Sequence, residues 1–170
     1  MLQPFGVQKN DVSTVLERHH LKRGHYFFCL SNPKPHKNVR FLAQVHSERS
    51  KRGWPLVLSL KDDTIQGEGI RQLGSLKDRE ARALMAGAGA LVFPSLYEGF
   101  GLPPVEAAVL GTPIIVSDIP AHREALRDLE PGEATWVSPL AGSALIAAME
   151  KAERGELRAT RPETRTKLLK

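Results

Sequence analysis

Cysteine is nearly absent: the 170 residues hold one, Cys29, which excludes an internal disulfide framework. It lies in the apolar run Tyr26-Phe-Phe-Cys-Leu30 and reads as a small buried hydrophobe rather than a nucleophile. Aromatic residues are scarce, at 6%, and the 24 lysines and arginines are not interleaved with them on any one segment. A nucleic-acid surface is therefore not expected, although the net charge is +5. No run approaches the about 18 consecutive apolar residues of a membrane span, and the N-terminus lacks the apolar core of a secretory signal. The expectation is a cytoplasmic domain, with peripheral contact to an anionic membrane surface left open. Six histidines (19, 20, 25, 36, 46 and 122) show neither the HExxH pattern nor paired Cys/His spacing, so no metal site is expected. The chain also lacks a Gly-x-Ser-x-Gly elbow, and no Gly-x-Gly-x-x-Gly follows the first strand. Both lacks argue against a hydrolase and a nicotinamide oxidoreductase.

What is present fits one domain. An apolar share of 41% suffices for a substantial core. Six short apolar runs, Tyr26 to Leu30, Leu56 to Leu60, Ile70 to Leu73, Ala90 to Phe93, Ile114 to Ser117 and Ala134 to Val137, alternate with helical patterns. That alternation predicts an α/β fold: a doubly wound parallel sheet with helices on both faces, Rossmann-like, in the order 3-2-1-4-5-6. Helices are expected over Val12 to His20, Asn38 to Ser50, from Asp78, from Pro103 or Pro104 to Gly111, and over Pro139 to Arg154. Residues 1–10 read as a linker, 11–154 as the domain, and 155–170 as a basic tail, a frayed end or truncated helix.

The most informative segment is Glu98-Gly-Phe-Gly-Leu-Pro-Pro-Val-Glu106, which joins a buried strand to a helix start and sets two carboxylates eight residues apart. Gly99 and Gly101 allow a tight bend, and backbone amides at the helix start can hold an anionic or polyhydroxyl ligand. Carboxylates at each end can accept hydrogen bonds from sugar and ribose hydroxyls. The plainer alternative is that Glu106 complements the helix dipole and Glu98 is a solvated loop charge. In the doubly wound order, ligands bind where the strand order reverses, between strands one and four. There the loop Ser31-Asn-Pro-Lys-Pro-His-Lys-Asn38 would face the Glu98 to Leu102 loop, setting lysines toward phosphates and carboxylates toward hydroxyls.

The longer string Phe93-Pro-Ser-Leu-Tyr-Glu-Gly-Phe-Gly-Leu-Pro-Pro-Val-Glu-Ala107, followed by Gly111-Thr-Pro-Ile-Ile-Val-Ser-Asp-Ile-Pro120, closely resembles the donor-binding domain of family 4 glycosyltransferases. These are retaining GT-B enzymes that include sucrose synthases and many bacterial mannosyl- and glucosyltransferases. The resemblance covers roughly Asp11 to Glu150 and implies the C-terminal half of a GT-B enzyme, binding a nucleoside diphosphate sugar, GDP-mannose or UDP-glucose, without a further cofactor. It implies Lys37 and Glu98 as catalytic residues: Lys37 on the donor's phosphates and Glu98 on the sugar hydroxyls. Asn32, Lys34, Gly99, Phe100, Gly101, Leu102 and Glu106 would bind substrate, Glu106 at the ribose. The family's arginine and preceding glycine are replaced by Asn32 and Ser31, and its glycine-rich turn after the second strand by Ser59-Leu-Lys-Asp-Asp-Thr64. Ile70-Arg-Gln-Leu-Gly-Ser-Leu76 resembles the family's base-binding strand and loop. The implied partner is an N-terminal acceptor domain not visible in this chain. The alternative is a nucleotide-sugar-binding module that transfers nothing alone.

Overall fold

The computed structural model describes residues 7–49 and 53–170. The strands are β1 (Phe27–Cys29), β2 (Leu56–Leu58), β3 (Ile70–Gln72), β4 (Ala90–Phe93), β5 (Ile114–Ser117) and β6 (Thr135–Val137). They form one sheet in the order β3-β2-β1-β4-β5-β6, parallel at every junction. This is the expected doubly wound order. Four of the strands, β1, β2, β4 and β5, are buried along their whole length, the signature of a sheet covered on both faces.

Alternating side chains feed two cores. On one face Phe28, Val57, Leu91, Phe93, Ile114 and Val116 pack against α1 (Lys9–Arg18), α3 (Asp78–Gly87) and α4 (Leu102–Leu110). On the other, Phe27, Cys29, Leu58, Val92 and Ile115 meet α2 (Val39–Ser47) and α6 (Gly142–Glu153). The two remaining helices are α5 (Pro120–Ala125), which the sequence pattern had not marked, and α7 (Pro162–Leu168).

Several boundaries move for local reasons. Helix α1 starts at Lys9, before the expected Val12, because Gln8 and Asp11 close a reciprocal capping box there. Residues 1–6 of the expected linker, and Ser50 at the expected end of the second helix, lie outside the described residues. Helix α4 starts at Leu102, one residue before the prolines, with Gly101 at φ +80° as its cap, and stops at Gly111, φ +79°.

The basic tail, expected as a frayed end or a helix, forms a helix over residues 162–168. Helix α7 packs on α4, and Thr160 and Thr164 are buried. Glu133, 3% exposed, accepts from the Arg161 backbone N–H at 2.8 Å, from its guanidinium at 3.2 Å, and from the Thr164 hydroxyl at 3.2 Å. The Glu130 backbone N–H reaches its other oxygen at 2.9 Å. Burial raises the pKa of Glu133, but these bonds outweigh it and hold the carboxyl below its usual range.

Candidate functional site

Strand order reverses between β1 and β4, and the loops leaving their carboxyl ends meet there. The β1 loop ends in a 3₁₀ turn, Pro35–Lys37, whose N–H groups of Lys37 and Asn38 return to Lys34 and Pro35 carbonyls. Asn38 follows in the left-handed region, φ 58°, a conformation asparagine tolerates better than most residues. Its side-chain amide donates to the Pro94 carbonyl at 3.1 Å and the Pro139 carbonyl at 3.0 Å. One side chain thereby buckles together the loops that follow β1, β4 and β6. A further bond, from Leu96 N–H to the His36 carbonyl at 2.8 Å, fixes the first two of these loops to each other.

This framework brings Lys37 and Glu98 into contact across 61 residues of sequence. The ammonium donates to both carboxylate oxygens, at 2.7 and 2.8 Å, with the side chains only 16% and 9% exposed. The ammonium also lies 5.7 Å from the centre of the Phe93 ring. Ser95 donates to Glu98 at 2.6 Å. Burial works to raise the pKa of Glu98, yet the bonds from Lys37 and Ser95 and the Lys37 charge more than offset it, so the carboxyl sits below its usual range. The site therefore presents an ionised acid and an ammonium already ordered.

Behind Glu98 runs a second layer that the sequence pattern did not reveal. The Ser117 hydroxyl donates to the Ser95 carbonyl at 2.5 Å, and His122 Nδ1 sits 2.8 Å from the Ser117 carbonyl. His122 is fully buried, its ring 5.6 Å from that of Phe93. Burial is the largest influence on this imidazole and carries its pKa below the ordinary value, with a smaller contribution from Lys37. Ser95 and Ser117 lie inside the strings Phe93 to Ala107 and Gly111 to Pro120, and Asn38 closes the β1 loop, but nothing in the sequence singles out Ser95, Ser117 or His122. Only the positive-φ tolerance of asparagine just before a helix signals Asn38 in the sequence.

The other expected residues divide. Gly99 and Phe100 are exposed on the loop beside Glu98, and Leu102 is exposed at the helix start. Gly101 is buried, and its φ of +80° is one that a side chain rarely adopts. Pro103 and Pro104 remove two of the N–H groups a helix start ordinarily offers, so polar contacts must come from residues 99–102 rather than from the first turn of α4. Lys34 is exposed ahead of the 3₁₀ turn, and Asn32 uses its side-chain oxygen to accept from the Lys34 N–H at 3.0 Å, shaping the loop. Glu106 does not join Glu98. It lies on α4 with a carboxylate oxygen 3.5 Å from the Arg82 guanidinium of α3. Ser59, after β2, accepts from the Ser31 N–H at 2.9 Å and so ties the β1 and β2 loops. Among the described residues no three of His, Cys, Asp and Glu gather closely enough to hold a metal ion, and no helix is long and apolar enough to cross a membrane.

The chain is similar to known proteins in sequence and in fold. O-antigen chain mannosyltransferase B of Escherichia coli is 33% identical over 129 residues, 67% of this chain and 34% of that protein. O-antigen chain mannosyltransferase RfbU of Salmonella typhimurium is 31% identical over 121 residues, 62% of this chain and 33% of that protein. The chain thus spans about a third of the length of these relatives. A glycosyltransferase structure from Rickettsia africae superposes with a TM-score of 0.78 at 14% identity, over 99% of this chain and 49% of the other, which shows a shared fold. The six-stranded sheet is that of the C-terminal domain of a GT-B glycosyltransferase. Residues 59–168, which include β4, the Glu98 loop and α4, match the family described as glycosyl transferases group 1, and the chain belongs to that family.

Proposed function

We propose that this chain binds a nucleoside diphosphate sugar at the β1/β4 switch point and serves as the donor half of a hexosyltransferase in polysaccharide synthesis. The observation that carries the reading is the meeting of Lys37 and Glu98 at 2.7 Å, both largely buried, with residues 99–102 following Glu98 in the same loop. In this reading the donor's diphosphate takes over the Lys37 ammonium, and Glu98, released from the ion pair, accepts hydrogen bonds from the sugar hydroxyls. The Gly99 to Leu102 peptides supply further donors. Glu106 accepts from the ribose. As the bond to the sugar breaks, negative charge grows on the departing diphosphate, and Lys37 with the loop N–H groups stabilises it electrostatically. That the relatives are named mannosyltransferases supports a mannosyl donor, which we read as GDP-mannose ahead of UDP-glucose.

A second reading is favoured by the share of the relatives that the chain covers, about a third. Alone, the chain is a nucleotide-sugar-binding module, because aligning an acceptor against the donor supplies a large part of any two-substrate rate. Calorimetric titration of the 170-residue chain with GDP, UDP, GDP-mannose and UDP-glucose tests binding. Transfer to a defined acceptor, with and without an N-terminal GT-B half supplied in trans, separates the readings. Binding by none of the four ligands would overturn both, and robust transfer by the chain alone would overturn the second.

A further inference from the structure

One buried polar atom of the site has no partner. His122 Nδ1 faces the Ser117 carbonyl oxygen, which can only accept, so Nδ1 carries the ring's proton. The other nitrogen, Nε2, is then a bare lone pair. It is buried and makes no hydrogen bond. Leaving a buried polar atom unpaired costs about 1–3 kcal/mol, so a standing orphan calls for a partner in a working state.

The surroundings narrow what that partner is. A Cβ at Gly101 would lie 3.2 Å from Nε2 and 2.9 Å from Cδ2, so the loop backbone lies directly against this edge of the ring. Gly101 sits at φ +80°, and a Cβ built at Gly99 would meet nothing within 4 Å, so the backbone covering Nε2 has glycine at a turning point and room beside it. The ring lies within electrostatic reach of both Glu98 and Lys37. It is linked to Glu98 by successive bonds: His122 to the Ser117 carbonyl, the Ser117 hydroxyl to the Ser95 carbonyl, and the Ser95 hydroxyl to Glu98. A bare imidazole nitrogen repels phosphate oxygens, which bring no proton, and welcomes a hydroxyl. Next to the carboxylate assigned to sugar hydroxyls, such an acceptor suits the same part of the ligand.

We infer that His122 Nε2 is a further donor-binding group of this site, accepting a hydroxyl of the hexosyl unit once the Gly99 to Gly101 backbone turns aside. The inference rests on the donor reading given above and assigns the sugar, not the nucleotide, to His122. His122→Asn keeps a side-chain N–H for the Ser117 carbonyl and removes the Nε2 acceptor. Titrated into the whole chain, GDP-mannose or UDP-glucose should bind about tenfold more weakly to this variant, with GDP and UDP unchanged. In the native chain, ¹⁵N NMR should show the His122 Nε2 resonance moving as a lone pair does on accepting a hydrogen bond when the nucleotide sugar is added, and staying in place with the nucleotide alone. Equal losses for sugar-bearing and sugar-free ligands would reduce His122 to a packing role and overturn the inference. So would an Nε2 resonance unmoved at saturation with nucleotide sugar, or one that moves with nucleotide alone, which would assign the lone pair to a loop N–H or a water. Failure of the native chain to bind any of the four ligands overturns the donor reading itself, a result distinct from these.

Discussion

Lys37 is held by Glu98 through two short bonds, so a diphosphate that draws on its ammonium competes with a carboxylate already in place. Lys37→Ala should weaken nucleoside diphosphate binding about 10- to 100-fold, the value of one charge-assisted contact, and calorimetry reporting unchanged affinity for GDP and UDP would contradict its role. Glu98→Ala has the opposite consequence for the free nucleotide, because it liberates the lysine. GDP or UDP should bind at least as tightly, while the sugar-bearing donor loses affinity. Glu106→Ala should weaken nucleotide and donor alike, since its assigned contact is to the ribose. Equal losses for both ligands in both glutamate variants would refute this division. Lys37 and Glu98 were singled out in the sequence by the family resemblance of the loops that carry them, and the structure brings the two side chains together. Ser95, Ser117 and His122 were not, because their value arises only when β4 and β5 pair and the ends of those strands come within 3 Å of one another.

The elements themselves were legible where hydrophobic period and punctuation agreed, as at β4, β5 and the Gly111 stop of α4. Helix α7 was only one of two readings of the tail, since seven residues with two cations and no apolar stripe carry no amphipathic signal, and what fixes the helix is Glu133, 28 residues upstream of Arg161. Charge counted along the sequence therefore overstated how much of the tail is free: Arg161 is committed to Glu133 and Arg165 to the Thr160 carbonyl at 2.7 Å. Glu133→Ala should remove the acceptor for the Arg161 N–H and the Thr164 hydroxyl together. The expected loss is about 1–3 kcal/mol, roughly 3–10 °C in Tm by calorimetry. A melting temperature within a degree of the parent would show that α7 holds without this anchor. Gly111→Ala attacks the same junction from the other side. Its φ of +79° strains any side chain, and a Cβ there would run into the Arg165 guanidinium.

Across the whole molecule, the doubly wound topology followed from six apolar runs alternating with helical patterns, because strands buried on both faces need helices over both sides of the sheet, which right-handed crossovers supply. The pH response of the fold depends on a feature no local pattern showed, His46 on α2. Its Nδ1 accepts from the Arg49 guanidinium at 3.1 Å beneath the Phe27 ring. Burial, with the Arg49 charge second, lowers its pKa from 6.5 to about 4. A depressed histidine pKa means that the unfolded chain takes up a proton the fold refuses. The stability this neutral ring contributes is therefore complete above pH 6.5 and drains away as the pH falls from 6.5 toward 4. Glu98 and Glu133, both held below their usual range, add their own losses only at lower pH, as each is protonated. The chain should thus lose stability on the order of 1 kcal/mol between pH 7 and pH 5, before any carboxylate matters. His122, also depressed by burial, adds in the same direction, so the difference between parent and His46→Gln isolates the α2 contribution. Urea unfolding at pH 7, 6 and 5 should show the parent midpoint falling and the His46→Gln midpoint falling less. Parallel pH profiles for the two proteins would place the charge of His46 outside the folding equilibrium.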